Sequence, residues 1–83
     1  MKLLTTDEFN NLGEHAQADY INNIAHEVNG CDWIDYDFER DCYYDLDDYA
    51  ETGDECDPIE DLFDYILDQI NFGTLQRDQV FAD

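Results

Sequence analysis

The chain has 83 residues and carries 23 Asp and Glu side chains against 3 Lys and Arg, a formal net charge of −20. This balance excludes nucleic-acid binding through the chain's own charge and disfavours attachment to an anionic membrane, because both need Lys and Arg. Hydrophobic residues make up 43% and aromatic residues 14% of the chain. Disordered acidic chains are poorer in aromatics, so we expect one folded domain over residues 1–83 with a small core.

The N-terminal third predicts two helices. Thr5 and Glu8 have the spacing of a capping box, and Gly13 is expected to interrupt the helix that follows. A second helix is predicted to close at Gly30, because apolar residues recur at every fourth position before it. Those residues are Ala16, Tyr20, Ile24 and Val28, with Ile21 beside them.

The stretch from Trp33 to Ala50 fits two patterns. Apolar residues at helical spacing favour a helix over residues 35–50, whereas residues 34–39 alternate as a strand does. Asp suits neither element, so propensity does not decide, and the helix is preferred. The residues at helical spacing are Phe38, Cys42, Leu46 and Tyr49.

The last predicted helix begins at Asp57 as N-cap, with Pro58 in the first position and Glu60 in the third. Its apolar stripe ends before Gly73, and residues 74–83 are expected to form a short strand or an extended cover over the core. The stripe consists of Ile59, Leu62, Phe63, Ile66 and Ile70. Together these elements predict a mainly α fold, a small bundle of three to four helices. The alternative is an α+β fold with a short strand or hairpin.

The acidic residues are concentrated in residues 32–68, which hold sixteen carboxylates and only Arg40 as a base. On the predicted helices they form two stripes at spacings of three and four. If the whole segment were helical, its length would be about 55 Å, with roughly one carboxylate per 3.5 Å. One strand of B-DNA carries a phosphate per about 3.4 Å. The stripes are Asp37, Asp41, Asp45 and Asp48, followed by Asp57, Asp61, Asp64 and Asp68.

This pattern indicates an anionic surface selected for binding, because an ordinary solvated helix face mixes Glu with Lys. Asp outnumbers Glu twelve to four in the segment, and its shorter side chain holds the charge closer to the backbone. Aromatic residues between the acids are candidate anchors, although each of them also fits a core position. The predicted partner-binding residues are Asp32, Asp35, Asp37, Glu39, Asp41, Asp45, Asp47, Asp48, Glu51, Asp54, Glu55, Asp57, Asp61, Asp64 and Asp68, with Trp33, Tyr43 and Tyr44.

Residues 26–70 resemble the DNA-mimic inhibitors made by phages and other mobile elements, namely antirestriction proteins of the overcome-restriction type and small acidic anti-CRISPR proteins. The segments that carry the resemblance are His26-Glu27-Val28, Tyr43-Tyr44-Asp45-Leu46 and Pro58-Ile59-Glu60-Asp61. The resemblance implies a steric inhibitor that occupies the DNA-binding groove of a host defence nuclease complex in the bacterial cytoplasm. A CRISPR effector ranks ahead of a restriction-modification enzyme because the chain is small and lacks a long acidic tail. A homodimer is left open.

The alternative function is an acidic-aromatic interaction module that modulates host transcription or replication machinery. An enzyme is not expected, because the chain has no glycine-rich phosphate loop or nucleophile elbow and offers little room for a dry cleft. No cofactor is predicted either.

Metal binding is not expected. No register of the acidic segment fits a calcium loop: a loop starting at Asp45 would have Tyr49 at position 5 and Ala50 at position 6. The three cysteines are spaced eleven and fourteen apart, which matches no usual zinc pattern. An odd number of cysteines without a close pair is typical of reduced thiols in the cytosol. They are Cys31, Cys42 and Cys56.

Overall fold

A computed structural model describes residues 2–83, and it shows an α+β domain built from five helices and a small antiparallel sheet. The sheet has three strands in the order β1-β2-β3. A 3₁₀ turn, Gly53–Glu55, precedes the last strand. The elements in chain order are α1 (Thr6–Asn10), α2 (Glu14–Asn29), β1 (Ile34–Asp37), β2 (Cys42–Asp45), α3 (Leu46–Thr52), β3 (Pro58–Ile59), α4 (Leu62–Asn71) and α5 (Arg77–Val80).

The predicted boundaries of the first two helices are confirmed. The Thr5 side chain accepts a hydrogen bond from the Glu8 backbone N–H at 3.2 Å, and the Glu8 carboxylate accepts one from the Thr5 N–H at 3.0 Å. Gly13 separates the two helices as the N-cap of α2. Gly30 closes α2 in the left-handed region, with φ of 79°, which glycine adopts without steric cost.

The buried face of α2 differs from the predicted stripe. Ala16 and Val28 are exposed, whereas Ala18 and Ala25 are buried. The reason is geometric: a row at every fourth residue drifts by about 40° per step around a helix of 3.6 residues per turn. The buried face therefore follows mixed steps of three and four, through Ala18, Tyr20, Ile21, Ile24 and Ala25.

The predicted helix over residues 35–50 is wrong, and with it the helical bundle. These residues form the hairpin β1–β2, and only the end of the stretch is helical, in α3. The Asp37 carboxylate accepts hydrogen bonds from the backbone N–H groups of Glu39 and Arg40 at 2.9 and 3.2 Å, which stabilises the turn. Asp41 adopts a left-handed φ of 52°, a conformation that interrupts any helix.

The predicted start of the last helix at Asp57 is also wrong. Pro58 lies in β3 at the edge of the sheet, where its missing N–H breaks no ladder hydrogen bond. The helix begins four residues later, because the Asp61 carboxylate accepts from the N–H groups of Phe63 and Asp64 at 2.9 and 3.3 Å. Of the predicted apolar stripe, Leu62 and Ile66 are buried; Ile59, Phe63 and Ile70 are partly buried against the core.

The sheet presents its inner face to α2 and α4. Ile34 pairs with Asp45, Tyr36 with Tyr43, and Tyr43 with Ile59, so these side chains share one face. Ile34 and Tyr43 belong to the core. The fully buried residues with the largest side chains are Phe9, Ile21, Ile24, Ile34, Ile66, Leu75, Val80 and Phe81.

The C-terminal tail contributes three core residues, Leu75, Val80 and Phe81, and forms the single-turn helix α5 in place of the expected strand or extended cover. Phe81 makes one parallel bridge to Leu4. The Tyr20 hydroxyl links these two segments, since it donates to the Val80 carbonyl at 2.5 Å and accepts from the Leu4 N–H at 2.9 Å.

No helix among residues 2–83 combines the length and the apolar character that crossing a bilayer requires.

Candidate partner-binding surface

Six of the fifteen predicted acids make local hydrogen bonds within the fold. Asp45 and Asp61 cap α3 and α4, and Asp37 stabilises the hairpin turn. The other three accept from neighbouring side chains or backbone: Asp32 from His26, Asp35 from its neighbour's N–H, and Asp41 from the Tyr36 hydroxyl. At Asp37, Asp45 and Asp61, capping and turn geometry account for the Asp, whatever its part in binding.

The other nine predicted acids are exposed and make no side-chain hydrogen bond or ion pair within residues 2–83. Their carboxylate oxygens are therefore open to solvent or to a partner. Most lie on α3, on the turn after it, and on α4. These acids are Glu39, Asp47, Asp48, Glu51, Asp54, Glu55, Asp57, Asp64 and Asp68.

Tertiary packing brings eight carboxylates to one continuous surface, which we call the acidic face. A groove of about 590 Å³ runs between the ends of α2 and α4, the start of α3 and β3. A hollow of about 390 Å³ adjoins it and shares four lining residues, among them Tyr65 and Asp68. Neither is lined by Lys or Arg. The acidic face consists of Asp45, Asp47, Asp48, Asp57, Glu60, Asp61, Asp64 and Asp68.

The groove also has apolar and aromatic walls. Trp33 and Tyr65 line it as partly buried side chains. Phe72, directly after α4, lines it with 78% of its surface exposed, and Val28 lines it at 42%. We call this cavity, with its five carboxylates, the aromatic groove. The carboxylates are Asp45, Asp47, Asp48, Asp57 and Asp68.

Asp45 and Tyr65 shape one wall of the aromatic groove. One Asp45 oxygen accepts from the Asp47 and Asp48 N–H groups at 2.8 and 3.2 Å, and the other accepts from the Tyr65 hydroxyl at 2.6 Å. Burial, and then the adjacent Asp45 carboxylate, raise the pKa of Tyr65 well above its usual value. The phenol therefore stays a neutral donor at physiological pH.

The three predicted aromatic anchors lie in different environments. Trp33 lines the aromatic groove. Tyr43 is only 7% exposed, and its hydroxyl lies 2.5 Å from His15 Nδ1, so it is a core residue. Tyr44 points to the opposite face of the sheet and packs against Tyr49, with ring centroids 5.2 Å apart.

The remaining predicted acids lie outside the acidic face. Asp37, Glu39 and Asp54 border a separate hollow of about 420 Å³ at the hairpin tip. The first Asp stripe does not form, because it falls on a hairpin. In the second, Asp61, Asp64 and Asp68 keep helical spacing along α4 and line one hollow, whereas Asp57 lies before the helix. The others outside the acidic face are Asp32, Asp35, Asp41, Glu51 and Glu55.

Arg40, the one base within residues 32–68, is used inside the fold. It donates to Asp37 at 2.7 Å and to the Cys56 carbonyl at 2.8 Å. The pKa of Asp37 is lowered by its hydrogen bonds with Arg40, and the pKa of Arg40 is raised mainly by Asp37. Arg77 lies at the other end of the chain, 5.7 Å from the Phe81 ring centroid. Neither arginine lines the acidic face.

Phe72, Val28 and Glu60 are surface residues that the predicted site did not include. Phe72 carries the clearest signal, since an aromatic residue directly before Gly73 lies past the apolar stripe and so has no core position to fill. Val28 was assigned to the buried side of α2. Whether Phe72 and Val28 are buried or exposed depends on which helix faces pack together, and the sequence does not show that.

The cysteines within the described residues are free, one exposed, one partly buried and one buried. Among residues 2–83, no three His, Cys, Asp or Glu side chains are grouped so as to hold a metal ion. Comparisons with protein-family models, with curated proteins and with solved structures found no match to this chain.

Proposed function

We propose that this protein is a DNA-mimicking inhibitor, which occupies the positively charged DNA-binding groove of a host defence nuclease complex. The observation that carries the proposal is the acidic face: eight carboxylates on one continuous surface that no Lys or Arg lines. Like charges held together cost stability. Six of the eight carboxylates have no hydrogen-bond or ion-pair partner within residues 2–83, and a basic partner best accounts for a surface that keeps them.

The charge density of the whole molecule supports the same proposal. The longest dimension is 36 Å and the net charge is −20, about one charge per 1.8 Å of length. Duplex DNA carries one charge per about 1.7 Å of its axis. A groove built for duplex DNA would therefore meet a similar charge per unit length on this protein.

Electrostatic steering accounts for how such a protein competes with DNA. Opposite potentials accelerate the encounter, and the effect falls steeply as salt rises. Binding should therefore weaken with NaCl and with added duplex DNA. A homodimer formed through the acidic face would bring the eight carboxylates of each copy together, and they would repel each other. A homodimer would therefore use another surface.

As the target we rank a CRISPR effector first and a restriction-modification enzyme second. The test is a pull-down from bacterial host lysate with the tagged protein, eluted in NaCl steps and separately with duplex DNA. A DNA-binding complex released by both would support the proposal and identify the target. A partner that resists both, or no partner, would contradict it.

Charge reversal on the acidic face gives a sharper test. The double variant Glu60→Lys with Asp64→Lys changes two exposed carboxylates outside the aromatic groove. We expect about tenfold weaker binding or more, because like charges across an interface cost several kcal/mol. The control, Asp7→Lys with Asp78→Lys, makes the same charge change in the first turns of α1 and α5.

Equal binding by the two double variants would contradict the proposal, provided that both melt cooperatively. The pair Asp41→Lys with Asp45→Lys, which the predicted stripe recommends, is unsuitable. Asp45 caps α3 and Asp41 accepts from the Tyr36 hydroxyl at the hairpin, so that variant would lose stability as well as charge.

A second candidate function is the acidic-aromatic module for transcription or replication machinery. It is favoured by two aromatic side chains without cover, Phe38 at 86% and Phe72 at 78% exposure. Such docking would depend on these rings more than on charge. Binding that is lost in Phe38→Ala and Phe72→Ala, yet unchanged by NaCl, would support this function over DNA mimicry.

A further inference from the structure

We infer that the aromatic groove receives an arginine side chain from the basic partner protein. The inference rests on the proposed function, because it specifies the partner chemistry at one end of the acidic face. It concerns one side chain in one cavity, and so it can fail while the proposed function stands.

The walls of the groove suit a side chain that is both flat and apolar along its stem. The cavity of about 590 Å³ lies within the range of small-ligand sites, about 300–1,000 Å³. Trp33, Tyr65 and Phe72 supply aromatic surface, and Val28 and Ile59 supply aliphatic surface. Phe72 is the least covered of these, with 78% of its surface exposed. A guanidinium group stacks on aromatic rings, and its methylene stem packs on apolar surface.

The charged groups of the groove are all carboxylates, which only accept hydrogen bonds, and its other polar side chains, such as Asn29, Gln69 and Thr74, are neutral. Four of its five carboxylates make no hydrogen bond or ion pair within residues 2–83. The fifth, Asp45, already accepts from two N–H groups and from Tyr65. An occupant must therefore bring donors and positive charge, and a guanidinium brings five N–H donors in a planar fork. The four carboxylates are Asp47, Asp48, Asp57 and Asp68.

Charge complementarity and the aromatic walls together favour arginine over the other cationic occupants. A lysine ammonium is compact and strongly hydrated, so it gains less from aromatic walls. A second copy of this chain offers no unengaged arginine, because Arg40 is bound to Asp37 and Cys56 and Arg77 lies over Phe81, so its remaining base is Lys2. A metal ion finds no group of three ligands in the described part of the chain.

The test uses three short capped peptides that differ at one position: arginine, lysine or the uncharged isostere citrulline. Trp33 is the only tryptophan, so its fluorescence reports on the groove directly. We expect saturable binding of the arginine peptide, binding of the lysine peptide that is weaker by about threefold or more, and none of the citrulline peptide. Equal binding of the arginine and lysine peptides would overturn the inference. A calcium titration that quenches Trp33 and displaces the arginine peptide would also overturn it.

A matched pair of variants assigns the contact. Phe72→Ala removes an exposed ring inside the groove, and Phe38→Ala removes an exposed ring at the hairpin tip. We expect Phe72→Ala to lower the affinity for the arginine peptide by about threefold or more, and Phe38→Ala to leave that affinity unchanged. Equal effects in the two variants would overturn the inference.

The two proposals fail separately. If the arginine peptide binds but duplex DNA and NaCl do not release the partner, the groove stands and DNA mimicry fails. If they do release the partner while the arginine peptide does not bind, the groove inference fails and DNA mimicry stands.

Discussion

The Tyr65 hydroxyl donates a hydrogen bond to the Asp45 carboxylate at 2.6 Å, and this contact joins α4 to the N-terminus of α3. The other oxygen of Asp45 caps α3 through the N–H groups of Asp47 and Asp48. One side chain thus ends a strand, starts a helix and shapes the aromatic groove. It can do all three because a carboxylate has two oxygens that accept in different directions.

Removing this contact should destabilise the protein. We expect Tyr65→Phe to lower the free energy of unfolding by about 1 kcal/mol, the net value of a typical hydrogen bond. Asp45→Ala should cost more, about 2 kcal/mol, because it also removes the cap of α3. Urea denaturation measures both. Tyr49→Phe is the control, since its hydroxyl makes no hydrogen bond within residues 2–83; equal losses in Tyr65→Phe and Tyr49→Phe would contradict the expectation.

The same contact predicts sensitivity to alkaline pH. Burial and Asp45 raise the pKa of Tyr65 above its usual 10.0, so the folded chain favours the neutral phenol. The resulting stabilisation is complete below the unfolded-state pKa and is lost as pH rises above it. We expect the melting temperature to fall as pH rises from 9 to 11, and to fall less in Tyr65→Phe. Parallel curves for the two proteins would exclude Tyr65 as the cause.

The Phe9 ring is the centre of the aromatic core. It is fully buried and lies 5.7 Å from the ring centroids of Tyr20 and Phe81 and 6.1 Å from that of Phe63. Phe9→Ala should cost about 3–5 kcal/mol, because it leaves a cavity among rings that cannot collapse into it. Phe72→Ala, at an exposed position, should change stability by less than about 0.5 kcal/mol. Chemical denaturation of the two variants measures these changes. Similar losses of stability in Phe9→Ala and Phe72→Ala would contradict a core centred on Phe9.

Salt should stabilise this protein. Its net charge of −20 and the nine acids without side-chain partners make self-repulsion large, and dissolved ions screen it. We expect the melting temperature to rise steadily from low to physiological NaCl. A flat response would mean that the carboxylates are already neutralised, for example by a bound cation, which calcium and a chelator added in turn would reveal.

Arg40 should matter for stability although it is an exposed residue. Arg40→Gln removes the ion pair with Asp37 and weakens the link from the hairpin turn to Cys56, so we expect a lower melting temperature. Arg40→Lys should restore only part of the loss, because an ammonium cannot make the separate hydrogen bonds of the guanidinium fork. Full recovery in Arg40→Lys would show that charge alone is needed.

Local signals in the sequence were sufficient where they act within a few residues. The capping box of Thr5 and Glu8 and the closing glycine Gly30 were predicted correctly, because each depends on backbone groups close by in the chain. The same kind of reasoning failed at Asp57, where a cap and a proline suggested a helix start. Asp57 and Asp61 are equally good candidates for the N-cap. The helix begins after Asp61 because Pro58 pairs with Tyr44 in the sheet.

The arrangement of the acidic side chains on the surface could not be predicted from local signals either. Its charge was evident from composition, but its arrangement depended on the conformation of residues 35–50. Spacings of four place Asp37, Asp41 and Asp45 on one side of a helix. In the hairpin the same residues lie at a turn, in a left-handed position and at a helix cap. Periodicity could not separate the two, because both patterns fit the same letters.

The sequence by itself determined a folded acidic domain, the first two helices and a charge surplus between residues 32 and 68. Only the tertiary structure decided that this charge gathers on one face beside Trp33 and Phe72, and that Tyr43 is buried instead of exposed. The physical reason is the separation along the chain of the residues that interact. Caps and turns satisfy backbone groups nearby in the chain, whereas the acidic face forms only when α3, β3 and α4 pack together and bring distant carboxylates side by side.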